Sequence, residues 1–213
     1  MPSASNITLL AELSLPGGTA LAVYKPERGE RPLWDFPAGL YKREVAAYRL
    51  SEALGWGLVP PTVLREGPHG VGSLQLFVHA DFEQHYFTLL ERPEHRARLQ
   101  QICVFDLAAN NADRKSGHCL LGPDGCIHAI DNGLTFHVEP KLRTVIWDFA
   151  GEPIPRAMLE AIQRLLDEGL PERLVELLDP DEQEALLTRS KALARKGRFP
   201  KDSTGARYPW PLV

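Results

Sequence analysis

Four widely separated places in the sequence carry residue types suited to moving a phosphoryl group. They are Lys25, Glu44, the neighbouring pair Asp113 and His118, and Asp131. Phosphoryl transfer needs a cation on the phosphates, a carboxylate that holds this cation, a residue that orients the nucleophile, and one or two metal ligands. Lys25 and Glu44 suit the first two tasks, and the remaining three residues suit the others.

The spacing of Asp113, His118 and Asp131 supports the same chemistry. Asp113 and His118 form the pattern D-x-x-x-x-H, whereas the catalytic loop of protein kinases has D-x-x-x-x-N. Asp131 begins an Asp-Asn-Gly triplet at the place where a kinase carries its metal-binding D-F-G. Each residue alone has an ordinary explanation, such as a surface lysine or a turn aspartate. Their order and spacing together favour a kinase-like site.

Two strands are predicted to position Lys25. Residues 7–15 alternate between apolar and more polar side chains, which is typical of a half-buried strand. Pro16-Gly17-Gly18 predicts a turn, after which Leu21 and Val23 continue a second strand. Lys25 has the same parity as Leu21 and Val23, so we expect it on the same, inward face.

A helix over residues 40–54 is predicted to carry Glu44 at the edge of its buried stripe. That stripe consists of Tyr41, Val45 and Tyr48. A hairpin of residues 62–65 and 73–78 follows. The predicted order is therefore strand, strand, helix, strand, strand.

The rest of the chain is predicted to be mostly helical. A helix over residues 93–109 leads into the polar loop that holds Asp113, and a small hairpin of residues 119–121 and 126–130 ends next to Asp131. Later helices are predicted at 156–168, 171–178 and 181–196, followed by an extended arm.

Several segments resemble the phosphatidylinositol 3-/4-kinase superfamily, especially type II phosphatidylinositol 4-kinases. The segments are DLAANNADR at 106–114, AIDNGLTF at 129–136, and REVAAY at 43–48 running on to LVPPT at 58–62. The sequence is closer still to a group of uncharacterised bacterial proteins related to these lipid kinases. The resemblance covers about residues 3–155.

This resemblance implies an α+β, two-lobed protein-kinase-like fold. A small, mainly antiparallel β lobe would span residues 1–78 and a reduced helical lobe residues 79–213. ATP and a divalent ion, Mg²⁺ or Mn²⁺, would lie between the lobes. The implied activity is transfer of the γ-phosphate to a hydroxyl acceptor, and protein, small molecule and lipid all stay open as that acceptor.

The resemblance also implies a role for each candidate residue. Lys25 would contact the phosphates, Glu44 would pair with Lys25, Asp113 would orient the acceptor hydroxyl or take its proton, and Asp131 would bind the metal. His118 stands where these kinases usually have a metal-binding asparagine. The hinge that meets adenine would comprise Gln75, Leu76, Phe77 and Val78, and the phosphate-covering loop would lie near Ser5 and Asn6.

Two departures from the kinase pattern matter. The chain has no G-x-G-x-x-G near its start. The imidazole of His118 suits transition metals better than Mg²⁺, so we expect Mn²⁺ to be tolerated or preferred. The alternative is that His118 does not touch metal, and that the protein is a nucleotide-binding pseudokinase or scaffold without turnover.

Composition and net charge limit the kinds of binding partner and the cellular compartment that we expect for this protein. A net charge of −4 does not suggest a nucleic-acid binder, and no apolar run is long enough for a transmembrane helix. The start of the sequence lacks the features of a secretory signal, and the three cysteines form no C-x-x-C pair, so we expect a cytoplasmic protein. Basic residues cluster over 189–207, which suits a solvated helix end and leaves peripheral membrane contact open.

Overall fold

The computed structural model describes residues 6–212. A four-stranded antiparallel sheet forms the first part of the chain, with strand order β1-β2-β4-β3. Helix α1 lies between β2 and β3 in the sequence. The element bounds are β1 Leu9–Leu15, β2 Gly18–Pro26, α1 Leu40–Ala53, β3 Thr62–Gly67 and β4 Gly70–Leu76.

The face of β2 that carries Lys25 is the more open of its two faces. Lys25 shares this face with Leu21 and Val23, as predicted, but these side chains are only half-buried, whereas Ala22 and Tyr24 are buried. Lys25 therefore has the predicted parity, on a face that is partly buried. This face is turned towards the Asp-Asn-Gly loop at 131–133, and Lys25 contacts Asp131 of that loop.

The second part of the chain contains helices, one small hairpin and long irregular segments. Among residues 6–212, no helix is long and apolar enough to cross a lipid bilayer. The hairpin strands pair antiparallel, with Cys119 opposite Ala129. The bounds are α2 Tyr86–Leu90, α3 Arg96–Ala109, β5 Cys119–Leu121, β6 Ile127–Ala129, α4 Arg156–Glu168, α5 Glu172–Val175 and α6 Pro180–Lys196.

Helix α3 lies at the centre of the hydrophobic core. Its side chains are buried on nearly every side, as expected for a helix enclosed by other elements. The same cluster includes Leu50 of α1, Phe105 of α3, Ile162 of α4 and Leu186 of α6. One continuous core therefore joins the helix behind the sheet to the helical part of the chain.

The structure confirms the α+β fold class and the predicted order of elements. It differs in detail: β3 and β4 are longer than predicted, and the predicted helix over 171–178 is reduced to the four residues of α5. Helix α2 was not predicted, because its five residues are too few to show a helical period. The proposed division of the chain at residue 78 stays a prediction.

The chain after α6 is an extended arm, as predicted, and it packs back on the helical part of the chain. The carbonyl oxygen of Arg207 accepts a hydrogen bond from the N–H of Thr144 at 3.0 Å. Farther along, the carbonyl oxygen of Leu212 accepts one from the N–H of Ser116 at 2.9 Å. The arm therefore reaches the loop that contains Asp113 and His118.

A buried ion pair fastens α1 to the beginning of α6. The guanidinium of Arg43 pairs with Glu182, and each residue is 5% exposed. The second carboxylate oxygen of Glu182 accepts the backbone N–H of Asp179 at 3.0 Å, which caps the helix. Glu182 thus balances a buried charge and also begins a helix.

We predict that Glu182→Ala destabilises the fold by about 3 kcal/mol, because it leaves the Arg43 guanidinium buried without a carboxylate and removes a capping bond. Urea unfolding measures the change. The matched control is Glu184→Ala, since Glu184 is exposed on the same helix. Equal losses of stability in the two variants would contradict this account of Arg43.

Candidate active site

Lys25, Glu44 and Asp131 meet at one place, although they come from a strand, a helix and a loop. The ammonium of Lys25 pairs with one carboxylate oxygen of Glu44 and lies 2.8 Å from Oδ1 of Asp131. The other carboxylate oxygen of Glu44 accepts the backbone N–H of Asn132 at 2.9 Å. Glu44, only 3% exposed, therefore connects the lysine to the Asp-Asn-Gly turn.

The charges in this cluster stabilise one another. Burial favours the neutral form of Lys25, but the adjacent carboxylates of Asp131 and Glu44 outweigh burial and raise the pKa of Lys25. The ammonium of Lys25 in turn holds the pKa of Asp131 well below its usual range. Both groups are therefore ionised at neutral pH.

His118 lies on the other side of Asp131. Its Nε2 atom is 3.4 Å from Oδ2 of Asp131. Burial lowers the pKa of His118 to about 4, although the charge of Asp131 opposes this shift. The imidazole is therefore neutral at pH 7, which is the form that binds metals.

His118 and Asp131 together offer two metal ligands. Among residues 6–212, no three His, Cys, Asp or Glu side chains converge on one metal position. Two protein ligands are enough for an ion that completes its coordination with phosphate oxygens and water, as Mg²⁺ commonly does. The residues present thus fit a metal that is shared with a phosphorylated ligand.

Asp113 is half-buried beside this cluster. Its Oδ2 atom is 3.3 Å from the ammonium of Lys115, and its backbone N–H donates to Oδ1 of Asn111 at 2.9 Å. Burial raises the pKa of Asp113 above its ordinary value, and repulsion from Asp131 acts in the same direction. A carboxylate with a raised pKa is a better proton acceptor.

A buried network behind the cluster holds these loops together. Arg114 is fully buried, and its Nε atom lies 2.9 Å from Oδ2 of Asp106 at the end of α3. The guanidinium also donates to Oδ1 of Asn132 at 2.6 Å and to the carbonyl oxygen of Ile130 at 2.7 Å. Asp106 outweighs the effect of burial and raises the pKa of Arg114.

The importance of this network was not predicted from the sequence, in which the residues around Asp113 indicated only a polar loop. The signal was present in the segment 106–114, where Asp106 and Arg114 lie at the two ends. Their meeting depends on the left-handed backbone of Asn110, with φ of 56°, which ends α3 and turns the chain back.

The structure places the predicted hinge residues at the end of β4. The side-chain amide of Gln75 donates to Thr62 at 2.9 Å, and the N–H groups of Leu76 and Phe77 donate to Pro61 and Leu21. These three residues are thus bonded within or beside the sheet, and Val78 follows them. Their contact with adenine stays a prediction.

The predicted phosphate-loop residues are only partly described. Ser5 lies outside the described residues. Oδ1 of Asn6 accepts the backbone N–H of Arg31 at 2.9 Å, so its side chain is tied to the loop after β2. The role of both residues stays a prediction.

One relative establishes the family. No protein-family model matches the chain. Protein Rv2133c of Mycobacterium tuberculosis is 39% identical over 246 residues, an alignment that covers 98% of this chain and 88% of that protein. The chain belongs to the Rv2133c family.

Solved structures establish the fold of this Rv2133c family member. The Golgi casein kinase with Mn/ADP bound has a TM-score of 0.59 and 13% identity, covering 100% of this chain and 76% of that one. Hydra Fam20 with sugar has a TM-score of 0.55 and 13% identity, covering 94% and 86%. The Helicobacter pylori proinflammatory kinase CtkA has a TM-score of 0.54 and 12% identity, covering 92% and 90%. The fold is therefore protein-kinase-like.

We predict that Asp106→Asn destabilises the protein by about 3–5 kcal/mol, because the Arg114 guanidinium would stay buried without its carboxylate. Chemical denaturation measures the loss. Asp167→Asn is the control, since Asp167 is exposed on α4 and its replacement should change stability by less than about 0.5 kcal/mol. A loss as small as that of the control would mean that the network does not hold the loops.

Proposed function

We propose that this protein is an atypical ATP-dependent kinase that transfers the γ-phosphate of ATP to a hydroxyl acceptor. One observation carries the proposal. Lys25, Glu44 and Asp131, chosen from the sequence for this chemistry, converge in a single cluster with Asp113 beside it. The protein-kinase-like fold supports the same proposal.

The strand surface beside Lys25 suits a nucleotide. Leu10 is the cross-strand partner of Val23, so these two residues share the face that carries Lys25. Leu10 is 62% exposed, and Leu21 and Val23 are half-buried. In the proposed complex these apolar side chains cover the adenine ring, while the ammonium of Lys25 binds the phosphates. The hinge residues 75–78 and the segment around Ser5 and Asn6 would complete the nucleotide site.

Asp131 and His118 would hold the divalent ion. Such an ion bridges the phosphates and neutralises the charge that develops during transfer. Nucleotide phosphates would give Lys25 a new anionic partner, which would free Oδ1 of Asp131 for the metal. The neutral imidazole of His118 favours Mn²⁺ over Mg²⁺, and the similar Golgi casein kinase was solved with Mn and ADP.

Asp113 would act on the acceptor. Its carboxylate would orient the acceptor hydroxyl and take its proton as the hydroxyl oxygen attacks the γ-phosphorus. The bond from phosphorus to the β–γ bridging oxygen breaks, and ADP leaves. The raised pKa of Asp113 suits this proton transfer.

A pseudokinase is the second candidate function. It is favoured by His118 at the place of the usual asparagine, and by the ion pair that Lys25 and Asp131 form with each other. Measured turnover of ATP distinguishes the active kinase from the pseudokinase.

The proposal also includes three expectations from the sequence. They are the resemblance to phosphatidylinositol 3-/4-kinases, the lobe division at residue 78 and a cytoplasmic location.

We predict that Asp131→Asn weakens metal-dependent ATP binding by about tenfold or more, because a charged metal ligand is lost. Calorimetric titration with ATP in Mg²⁺, in Mn²⁺ and without metal measures this. Asp81→Asn is the control, since Asp81 is exposed. Unchanged affinity in the presence of metal would refute the role of Asp131.

We predict that Asp113→Asn lowers turnover of ATP by about 100-fold, the usual worth of a positioned proton acceptor, and changes ATP affinity less than twofold. Release of ADP and single-site binding of ATP measure the two quantities. The wild-type protein and Asp81→Asn should both turn over. A wild-type protein that binds ATP with metal and never releases ADP is a pseudokinase.

A further inference from the structure

A groove beside the catalytic loop has no part in the nucleotide site described above. It has a volume of about 470 Å³ and lies between the loop before α1 and the segment that follows the Asp-Asn-Gly turn. This size matches pockets that bind small molecules. Its lining includes Trp34, Asp35, Phe36, His137, Glu139 and Lys141.

Both walls of this groove are fixed to the loop that carries Asp113. On one side, Phe36 is buried against Ala112, the residue before Asp113. On the other side, the buried amide of Asn110 donates to the carbonyl oxygens of His137 at 2.9 Å and Glu139 at 2.7 Å. The groove is therefore a built feature of the catalytic loop.

Arg143 connects the groove to Asp113. Its Nε atom donates to the carbonyl oxygen of Ala112 at 2.9 Å, and its Nη2 atom is 3.9 Å from Oδ2 of Asp35. Arg143 thus links Asp35 of the groove to the residue that precedes Asp113.

The charges in the groove compensate one another. Asp35 lies 3.9 Å from the ammonium of Lys141 and 3.9 Å from Arg143, and Lys141 lies 3.6 Å from Glu139. Arg143 borders the groove without lining it, and when Arg143 is included, the two carboxylates and two cations carry no net charge to attract an ionic ligand. A hydroxyl group both donates and accepts, and it can therefore bond to either kind of partner.

Trp34 gives the groove a flat apolar surface at its rim. The indole is 96% exposed, although Phe36, two residues later, is buried. An exposed ring of this size beside alternating charges suits a ligand with one apolar ring face and several hydroxyl groups.

An extended peptide fits this wall poorly. The backbone groups of His137, Glu139, Lys141 and Arg143 are used by Asn110, Asn111, Arg114 and the His137 ring. Between them, Pro140 has no N–H to donate. A peptide that adds itself as a strand needs a run of free backbone groups. Residues 137–143 do not offer such a run.

We propose that the groove binds the phosphate acceptor and that this acceptor is a neutral cyclic polyol, either free or carried on a larger molecule. The inference rests on the proposed kinase function and specifies its substrate class. A ring hydroxyl attacks the γ-phosphorus, its proton passes to Asp113, and the bond to the bridging oxygen of ADP breaks. Trp34 covers the ring, and Asp35 with Lys141 and Arg143 binds the remaining hydroxyls.

Binding is tested first, without nucleotide, so that it does not depend on turnover. Saturation-transfer NMR on the full chain uses glucose, mannose and myo-inositol as probes. We expect at least one to bind and Trp34→Ala to weaken it about tenfold. Trp210→Ala is the matched control, because Trp210 is also highly exposed, at 87%. No binding of any probe, or equal binding to both variants, would overturn the proposal.

Transfer of labelled phosphate from ATP is tested next, and ATP affinity is measured separately. The acceptors are the three free polyols, phosphatidylcholine vesicles with phosphatidylinositol, glucose 6-phosphate, and a serine- and threonine-containing peptide. Labelled free polyol supports a free acceptor, and label only on vesicles supports a lipid-borne one. Label only on the peptide, or preferentially on the sugar phosphate, overturns the polyol assignment and leaves the kinase function intact. Absence of metal-dependent ATP binding refutes the kinase function itself.

Discussion

The buried guanidinium of Arg114 is the constraint on which the arrangement of this site depends. A charge of this kind is stable away from water only when its donors are paired with good geometry. Its partners come from the end of α3, from the Asp-Asn-Gly turn and from the end of β6. The end of α3 and the segment 130–132 must therefore take up one position relative to the loop of Arg114 before the charge is satisfied. Asp113 and Asp131, which adjoin Arg114 and Asn132, are positioned as a consequence.

A second set of contacts fixes the positions of Lys25 and Glu44. Lys25 and Glu44 lie on the sheet and on α1, and α1 is anchored by a continuous core and by the ion pair of Arg43 with Glu182. The backbone bond from Asn132 to Glu44 then joins these residues to the Arg114 network. The metal, phosphate and acceptor positions of the proposed kinase are thus supported by buried contacts on both sides.

Much of this arrangement could be predicted from the sequence, because alternation and helical periodicity reveal strands and helices directly. The strand parity of Lys25 and the position of Glu44 in α1 followed from these periods, and the structure brings both residues to Asp131. The Arg114 network could not be predicted in the same way, since it depends on how the end of α3, the loop of Arg114 and the segment 130–132 meet. Of the two aromatic residues in the loop before α1, Phe36 is buried and Trp34 is exposed. Periodicity says little about an irregular loop, where neighbouring side chains have no regular direction.

The ion pair between Lys25 and Asp131 has a consequence for the order in which ligands enter the proposed kinase. While the pair is closed, Asp131 presents little uncompensated negative charge to a hydrated cation. A solitary divalent ion would have to shed water and separate the pair while gaining only Asp131 and His118 as ligands. A metal–nucleotide complex arrives with its own oxygens and with phosphates that satisfy Lys25. Metal and ATP should therefore enter as one unit, and the resting site stays insensitive to the free cations around it.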